Sequence, residues 1–196
     1  MNDKYKNRIQ SRSKFKFAIG VISRLKKFII NSYINWLAKR KGAILGDNVT
    51  LNYKLAKRAN SNLKVGNNTS VQTHLIDLRA SVVIGNNVII GNEVEIITCS
   101  HNVDSKEWEY KEYGIEIADF SWLATRVLVL PSCRRIGKGS VCGGGSVVVN
   151  NVDDMSIVSG NPARPLRQRK QVHSNVVVES LLGNDLLTYI NTYLKR

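Results

Sequence analysis

From about Ile44 to Val149 an aliphatic residue recurs every six positions, often followed by Gly and then by Asn or Asp. The fragments are Leu45-Gly46-Asp47-Asn48-Val49, Val65-Gly66-Asn67-Asn68, Ile84-Gly85-Asn86-Asn87-Val88, Ile90-Gly91-Asn92-Glu93-Val94, Ile117-Ala118-Asp119-Phe120-Ser121-Trp122, Ile136-Gly137-Lys138-Gly139-Ser140-Val141 and Cys142-Gly143-Gly144-Gly145-Ser146-Val147. A period of six matches neither a helix face nor a simple hairpin, and an internal repeat takes precedence over local propensity. It predicts short strands alternating in and out, with Gly, Asn or Asp where the backbone turns sharply. Stacked coils then align Leu45, Val65, Val71, Ile84, Ile90, Ile96, Ile117, Leu123, Val129, Ile136, Cys142 and Val148 as a continuous core, because no coil is stable alone.

The register also shows where the coil is interrupted. Ile96 and Ile117 lie 21 positions apart instead of six, so about 15 residues, including Trp108, Tyr110 and Tyr113, must leave the solenoid as a loop spanning roughly 97–116. His101 stands at its start. Long loops on rigid scaffolds are favoured places for chemistry. A smaller excess, seven residues from Val129 to Ile136, predicts a one-residue bulge at Ser132 to Arg135.

Outside the repeat the pattern is helical. Residues 1–43 carry Phe17, Ile19, Val21, Ile22, Leu25, Phe28, Ile29, Ile30, Ile34 and Leu37 at spacings compatible with one or two amphipathic helices. Val176 to Leu194 reads as a second amphipathic stretch interrupted at Gly183-Asn184-Asp185, within a C-terminal extension, 167–196, that docks on a partner subunit or on its own coil. The coil domain between them spans 44–166.

The net charge is +14 over 196 residues, and residues 1–41 hold 12 of the Lys and Arg against Asp3 alone. The basic character is therefore concentrated in the arm. It reads as a helix on an anionic membrane face or as a solvated appendage packed on its own oligomer. No finger or RNP-like motif supports nucleic acid as the partner. No apolar run reaches the ~18 residues of a transmembrane helix, and Arg24-Leu25-Lys26-Lys27 follows the short apolar stretch where a signal peptide needs small residues. Three cysteines, Cys99, Cys133 and Cys142, without a C-x-x-C pair suggest neither a disulfide framework nor a thiolate zinc site, and point to a reducing, cytoplasmic setting. Cys142 falls in the core register and is read as a small apolar residue.

Several elements together are specific: Ile96 to Asp104 (IITCSHNVD), Trp122-Leu123-Ala124-Thr125, the following Val129-Leu130-Pro131, and Ser159-Gly160-Asn161-Pro162-Ala163. From about Val65 to Arg167 the chain resembles the hexapeptide-repeat acyltransferases, especially the maltose and galactoside acetyltransferase group. The resemblance implies a left-handed parallel β-helix, acetyl-CoA as co-substrate without a metal, and a homotrimer with sites between subunits. The hand follows from the resemblance, since ordinary crossovers favour the opposite one.

Acetyl transfer from a thioester to an alcohol needs a base for the hydroxyl proton and a donor for the oxyanion, and imidazole suits the first task at neutral pH. The resemblance places the base on His101 and the oxyanion donor on the backbone N–H of Thr125. Asp104 and Glu107 are candidates to orient the ring or hold the acceptor, or are solvated loop carboxylates. Trp122 is a wall of the site or a corner residue. Acetyl-CoA is expected along the coils near Ala124, Thr125, Gly143 and Gly144, although these glycines could serve only the turn. Arg164 and Arg167 match basic positions after the G-x-P element and are assigned to the nucleotide phosphates. For a sugar-like acceptor, Gln72 stands where the family has an Asn. The family's nearby Asp has no clear counterpart; Arg79 falls there, with Asp77 two residues off. His74 faces the site or caps a turn.

The function expected is O-acetylation of a sugar or surface-polysaccharide precursor, with N-acetylation of an amino sugar or nucleotide sugar as the alternative. A zinc carbonic anhydrase on the same solenoid would need three His ligands, and the chain has only His74, His101 and His173 with no short-spaced pair. A non-catalytic scaffold would not need His101, W-L-A-T and G-N-P-A together.

Overall fold

The computed structural model describes residues 3–173 and 185–195. Its centre is a parallel β-solenoid of about six turns. One face stacks the strands Ile44–Leu45, Leu63–Val65, Val82–Ile84, Ile115–Ile117 and Arg135–Ile136 in that order. The second stacks Thr50–Leu51, Ser70–Val71, Ile89–Ile90, Trp122–Leu123, Val141–Cys142 and Ser156–Gly160, after which Ala163–Gln168 returns antiparallel. The third is formed by Glu95–Ile96, Leu128–Val129 and Val147–Val148, with Ile76 bridging to Ile96.

The hydrophobic spacing becomes three inward columns. Leu45 pairs with Val65, Val65 with Ile84, Ile84 with Ile117 and Ile117 with Ile136. All twelve core residues expected from the register are buried. Val49, Val88, Val94 and Val127, from the turns, fill the corners between columns. Three of the corner Asn and Asp side chains have a second role. The side-chain oxygen of Asn67 accepts from the Asp47 N–H, that of Asn86 from the Asn67 N–H and that of Asp119 from the Asn86 N–H, at 2.8, 2.8 and 2.6 Å. This ladder satisfies corner amides that no strand partner reaches. Close stacking there requires Gly85, whose Cβ would meet the Asp119 backbone N at 2.8 Å.

Four departures from the expected pattern have local causes. The third side of the first rung is a helix, α3 (Tyr53–Arg58), capped by the Asn52 side chain accepting from the Lys54 N–H, and it buries Leu55 and Ala56. The segment between Leu130 and Cys133 is a hydrogen-bonded turn and not a bulge in a ladder; the Cys133 N–H donates to the Leu130 carbonyl and the thiol is buried. The excursion after Ile96 is ordered as an antiparallel hairpin of Cys99–His101 and Tyr110–Glu112. The return strand runs to Gln168, past the expected domain limit at 166.

The arm forms two helices, α1 (Asp3–Gln10) and α2 (Lys14–Arg40), the latter capped by Ser13. α2 buries Gly20, Ile34 and Ala38, and Ile34 and Ala38 join the solenoid core. At the chain's other end α4 (Leu186–Leu194) is seated on α1 and α2. Phe17 stacks on Tyr189 and Tyr193, and buried Asp185 accepts from Arg24 at 2.8 Å and from the Tyr5 hydroxyl. The expected helical stretch between Val176 and Gly183 lies outside the described residues. Among the described residues no helix is long and apolar enough to cross a membrane.

Candidate active site

The hairpin that leaves the solenoid presents His101, paired across the ladder with Tyr110 and exposed at the surface. Its ring stacks on Trp108 with centroids 5.3 Å apart and meets Tyr110 edge-on at 5.8 Å. Nδ1 lies 2.9 Å from the Trp108 carbonyl oxygen. A carbonyl only accepts, so Nδ1 carries the proton of the neutral ring and Nε2 presents a bare lone pair. The group that orients the imidazole is therefore a backbone carbonyl. Asp104 is exposed near the tip of the hairpin, and Glu107 accepts from the Ser105 hydroxyl at 2.9 Å; neither bonds to the ring.

The foot of the hairpin is fixed by a charged corner. Asp77 takes a two-pronged contact from Arg79, at 2.9 Å to each oxygen, and also accepts from the Thr98 N–H. Burial opposes ionisation of Asp77, but the hydrogen bonds from Arg79 and Thr98 prevail and hold the carboxyl well below the usual carboxylate range. The Arg79 guanidinium also lies over the Tyr110 ring, whose hydroxyl donates to the buried Cys99 sulfur at 2.7 Å. Asp77 thus supports the foot of the loop. A carboxyl with a depressed value stabilises the fold at pH above its ordinary ~3.9 and loses that contribution as pH falls through the folded value. Asp77→Asn is therefore expected to melt below wild type at neutral pH, with the gap narrowing on acidification below about pH 4, read from melting temperatures across that range.

On the second face, Gln72, Ile89, Gly91, Trp122, Ala124, Thr125, Arg169 and His173 line a cleft of about 420 Å³. The structure thus brings together Gln72, Trp122, Ala124 and Thr125 from separate rungs. The neighbouring amides are engaged: Ala124 N–H donates to the Cys142 carbonyl and Arg126 N–H to the Asn92 carbonyl. The Thr125 N–H has no acceptor among the described residues and stands at the cleft wall. Its position depends on Gly91 in the rung below, where an added Cβ would sit 3.0 Å from the Thr125 N. Gly144 approaches Thr125 as closely, its absent Cβ falling 3.3 Å from the Thr125 carbonyl oxygen. Gly143 answers to packing, since a Cβ there would meet the Ser159 Oγ at 2.7 Å.

Arg164 and Arg167 lie exposed on the return strand, opposite Ser159 and Ile157, and outside the lining of this cleft. Half-buried His74 is also outside the lining and makes no hydrogen bond among the described residues. Two further residues line the cleft that no motif in the sequence marks. Arg169 donates to the Phe120 and Gly139 carbonyls at 3.0 and 3.1 Å. His173 is the second. It donates from Nε2 to the Asn87 carbonyl at 2.7 Å and accepts from Arg169 at Nδ1, so both ring nitrogens are occupied. Burial pushes its value down, and Arg169 adds to that effect against the Asn87 bond. Neither had a sequence signal, because residue 173 reaches the Asn87 turn only when the return strand lies across the coils. No group of three or more His, Cys, Asp or Glu gathers among the described residues as a metal site would require. His101 is not among the cleft's lining residues.

The fold is shared with solved hexapeptide-repeat acetyltransferases. The solved structure of a hexapeptide-repeat-containing acetyltransferase from Vibrio cholerae superposes with a TM-score of 0.64 at 22% identity, covering 82% of this chain and 96% of that one. Its complex with acetyl-CoA matches with a TM-score of 0.57 over 86% and 85% of the two chains, at 22% identity. The relatives in sequence are acetyltransferases too. A Schizosaccharomyces pombe protein assigned as an acetyltransferase is 39% identical over 92 residues, 45% of this chain and 44% of its own length. The galactoside O-acetyltransferase of Escherichia coli K12 is 28% identical over 136 residues, 67% of this chain and 66% of its own length. The chain thus spans under half of the first of these relatives and about two thirds of the second. No family model matches it.

Proposed function

We propose that the protein is an acetyl-CoA-dependent O-acetyltransferase acting on a sugar or surface-polysaccharide precursor, with His101 as general base. The observation that carries this reading is the contact of His101 Nδ1 with the Trp108 carbonyl, which leaves Nε2 as an exposed proton acceptor. His101 Nε2 takes the proton as the acceptor oxygen attacks the thioester carbonyl, the Thr125 N–H donates to the developing oxyanion, and the C–S bond breaks with the proton passing to the departing sulfur. Trp122 and Ala124 flank the thioester, Gly143 and Gly144 let the pantetheine arm approach, and Arg164 and Arg167 meet the nucleotide phosphates. Gln72 lies on the acceptor side of the cleft, with His74 and Glu107 as further acceptor contacts. The Vibrio cholerae relative's complex with acetyl-CoA and the galactoside O-acetyltransferase relative support this assignment.

In this reading the working unit is a homotrimer. The cleft lacks His101 in its own chain, while the exposed hairpin that carries it, with Val103 and Trp108 beside it, is available to complete the cleft of a neighbouring copy. The reaction would take place on the cytoplasmic side of a membrane. The test is thiol release from acetyl-CoA with a panel of bacterial surface-glycan precursors and amino sugars; an ester product supports the reading, and an amide product or no transfer to any of them opposes it. Gly91→Ala should lower kcat ~10-fold or more, because its Cβ would displace the Thr125 amide. Unchanged kcat in a folded Gly91→Ala protein would remove Thr125 from the oxyanion site.

A further inference from the structure

The helix α2 is apolar on two sides. One side, with Gly20, Ile34 and Ala38, is buried. The other, with Phe15, Ile19, Ile22, Ile29, Tyr33 and Trp36, is uncovered among the described residues, from 51% exposed at Trp36 to 75% at Phe15. At 100° per residue these six side chains fall within about 100° of arc, opposite the buried stripe. An outward apolar stripe of this length on a solvated appendage would be unfavourable, since it gains nothing from the core.

The charge around the stripe selects its occupant. No acidic residue occurs between Asp3 and Asp47. Lys14, Lys16, Lys26 and Lys27 have no carboxylate partner among the described residues, whereas the helix's one ion-paired cation, Arg24, points the other way, to Asp185. A second copy of the arm would bring two strongly positive segments together. An anionic lipid surface offers apolar depth to the stripe and negative charge to Lys26, which falls within its arc, and to Lys14 near its edge, with Lys16 and Lys27 farther round the helix. Tyr33 and Trp36 are residue types favoured at that boundary.

We propose that the outward face of α2 is a membrane-docking surface, with the helix lying in the plane of an anionic leaflet and its apolar stripe inserted. No helix among the described residues can span the bilayer, so the attachment is peripheral. This inference is independent of the acetyl-transfer chemistry. It deepens the acceptor reading only in placing the solenoid beside lipid-borne substrates.

The test uses the full chain with sedimented vesicles of phosphatidylcholine alone or with phosphatidylglycerol at about one third of the lipid. Binding should require phosphatidylglycerol. Ile22→Ser with Ile29→Ser should weaken it ~10-fold or more, because insertion supplies much of the affinity. Lys14→Gln with Lys26→Gln should weaken it by roughly fivefold per residue at low salt, as the attraction of each cation to the leaflet implies. Both doubles should melt like wild type and keep thiol release with a soluble acceptor, which separates failure of docking from failure of the enzyme reading. Equal binding to neutral vesicles, or full binding by a folded Ile22→Ser/Ile29→Ser chain, overturns the proposal. So does a fall in oligomer size in that variant, which would assign the stripe to contacts between copies.

Discussion

Turnover of the His101→Ala protein should fall by ~10² or more, with KM for acetyl-CoA little changed. In the proposed mechanism the imidazole acts on the acceptor proton, a bond that weakens only in the transition state, and it does not line the cleft where the thioester is expected. The loss, about 2.7 kcal/mol or more in barrier height, should therefore appear in kcat. Steady-state thiol release with the preferred acceptor reads it directly. A structural role would give a different result: loosening the hairpin by Trp108→Ala would remove the stacked ring but leave the carbonyl contact to Nδ1, so it should cost less than losing the base. Turnover equal to wild type in a folded His101→Ala chain would end the assignment.

The second large effect is on the solenoid itself. Ile117→Ala should destabilise the protein by about 3 kcal/mol, within the usual range for truncating a fully buried aliphatic side chain. Ile117 is 0% exposed and lies between Ile84 and Ile136, in the first rung after the hairpin. The neighbouring rungs are fixed by their ladders and cannot collapse into the space, so the cavity persists. Denaturant unfolding would measure the loss; a change below about 1 kcal/mol would show that the column tolerates a gap, contrary to close packing.

The columns were legible because each inward position recurs with a fixed period, and a repeat overrides local ambiguity. Ile84, Ile90 and Ile96 announce three faces by spacing alone. That Trp122 and Thr125 share a cleft and that His101 heads a loop were legible for another reason: their neighbours form short motifs, and the break between Ile96 and Ile117 independently marks the loop. What escaped depends on contacts distant in sequence. Tyr53–Arg58 could have continued the coil, and becomes helical where Asn52 caps it and Leu55 can close the end of the core. The hairpin order of Cys99–His101 rests on Tyr110 and the Asp77–Arg79 pair. Arg169 and His173 enter the cleft wall only because the last strand folds back over the coils. The two-sided character of α2 was hidden in an apolar pattern read as a single face.

The ladders continue beneath the hairpin without a change of register: Val83 still meets Glu116, Ile89 meets Trp122 and Glu95 meets Leu128. Nothing in the stacking therefore records how long the excursion is. Insertions, deletions and substitutions between Cys99 and Glu112 can accumulate without disturbing the rungs, provided the imidazole returns to the same place. In evolutionary terms the segment that carries the proposed base is separable from the segment that folds, which is how one scaffold could diversify what its loop meets while its rungs stay unchanged.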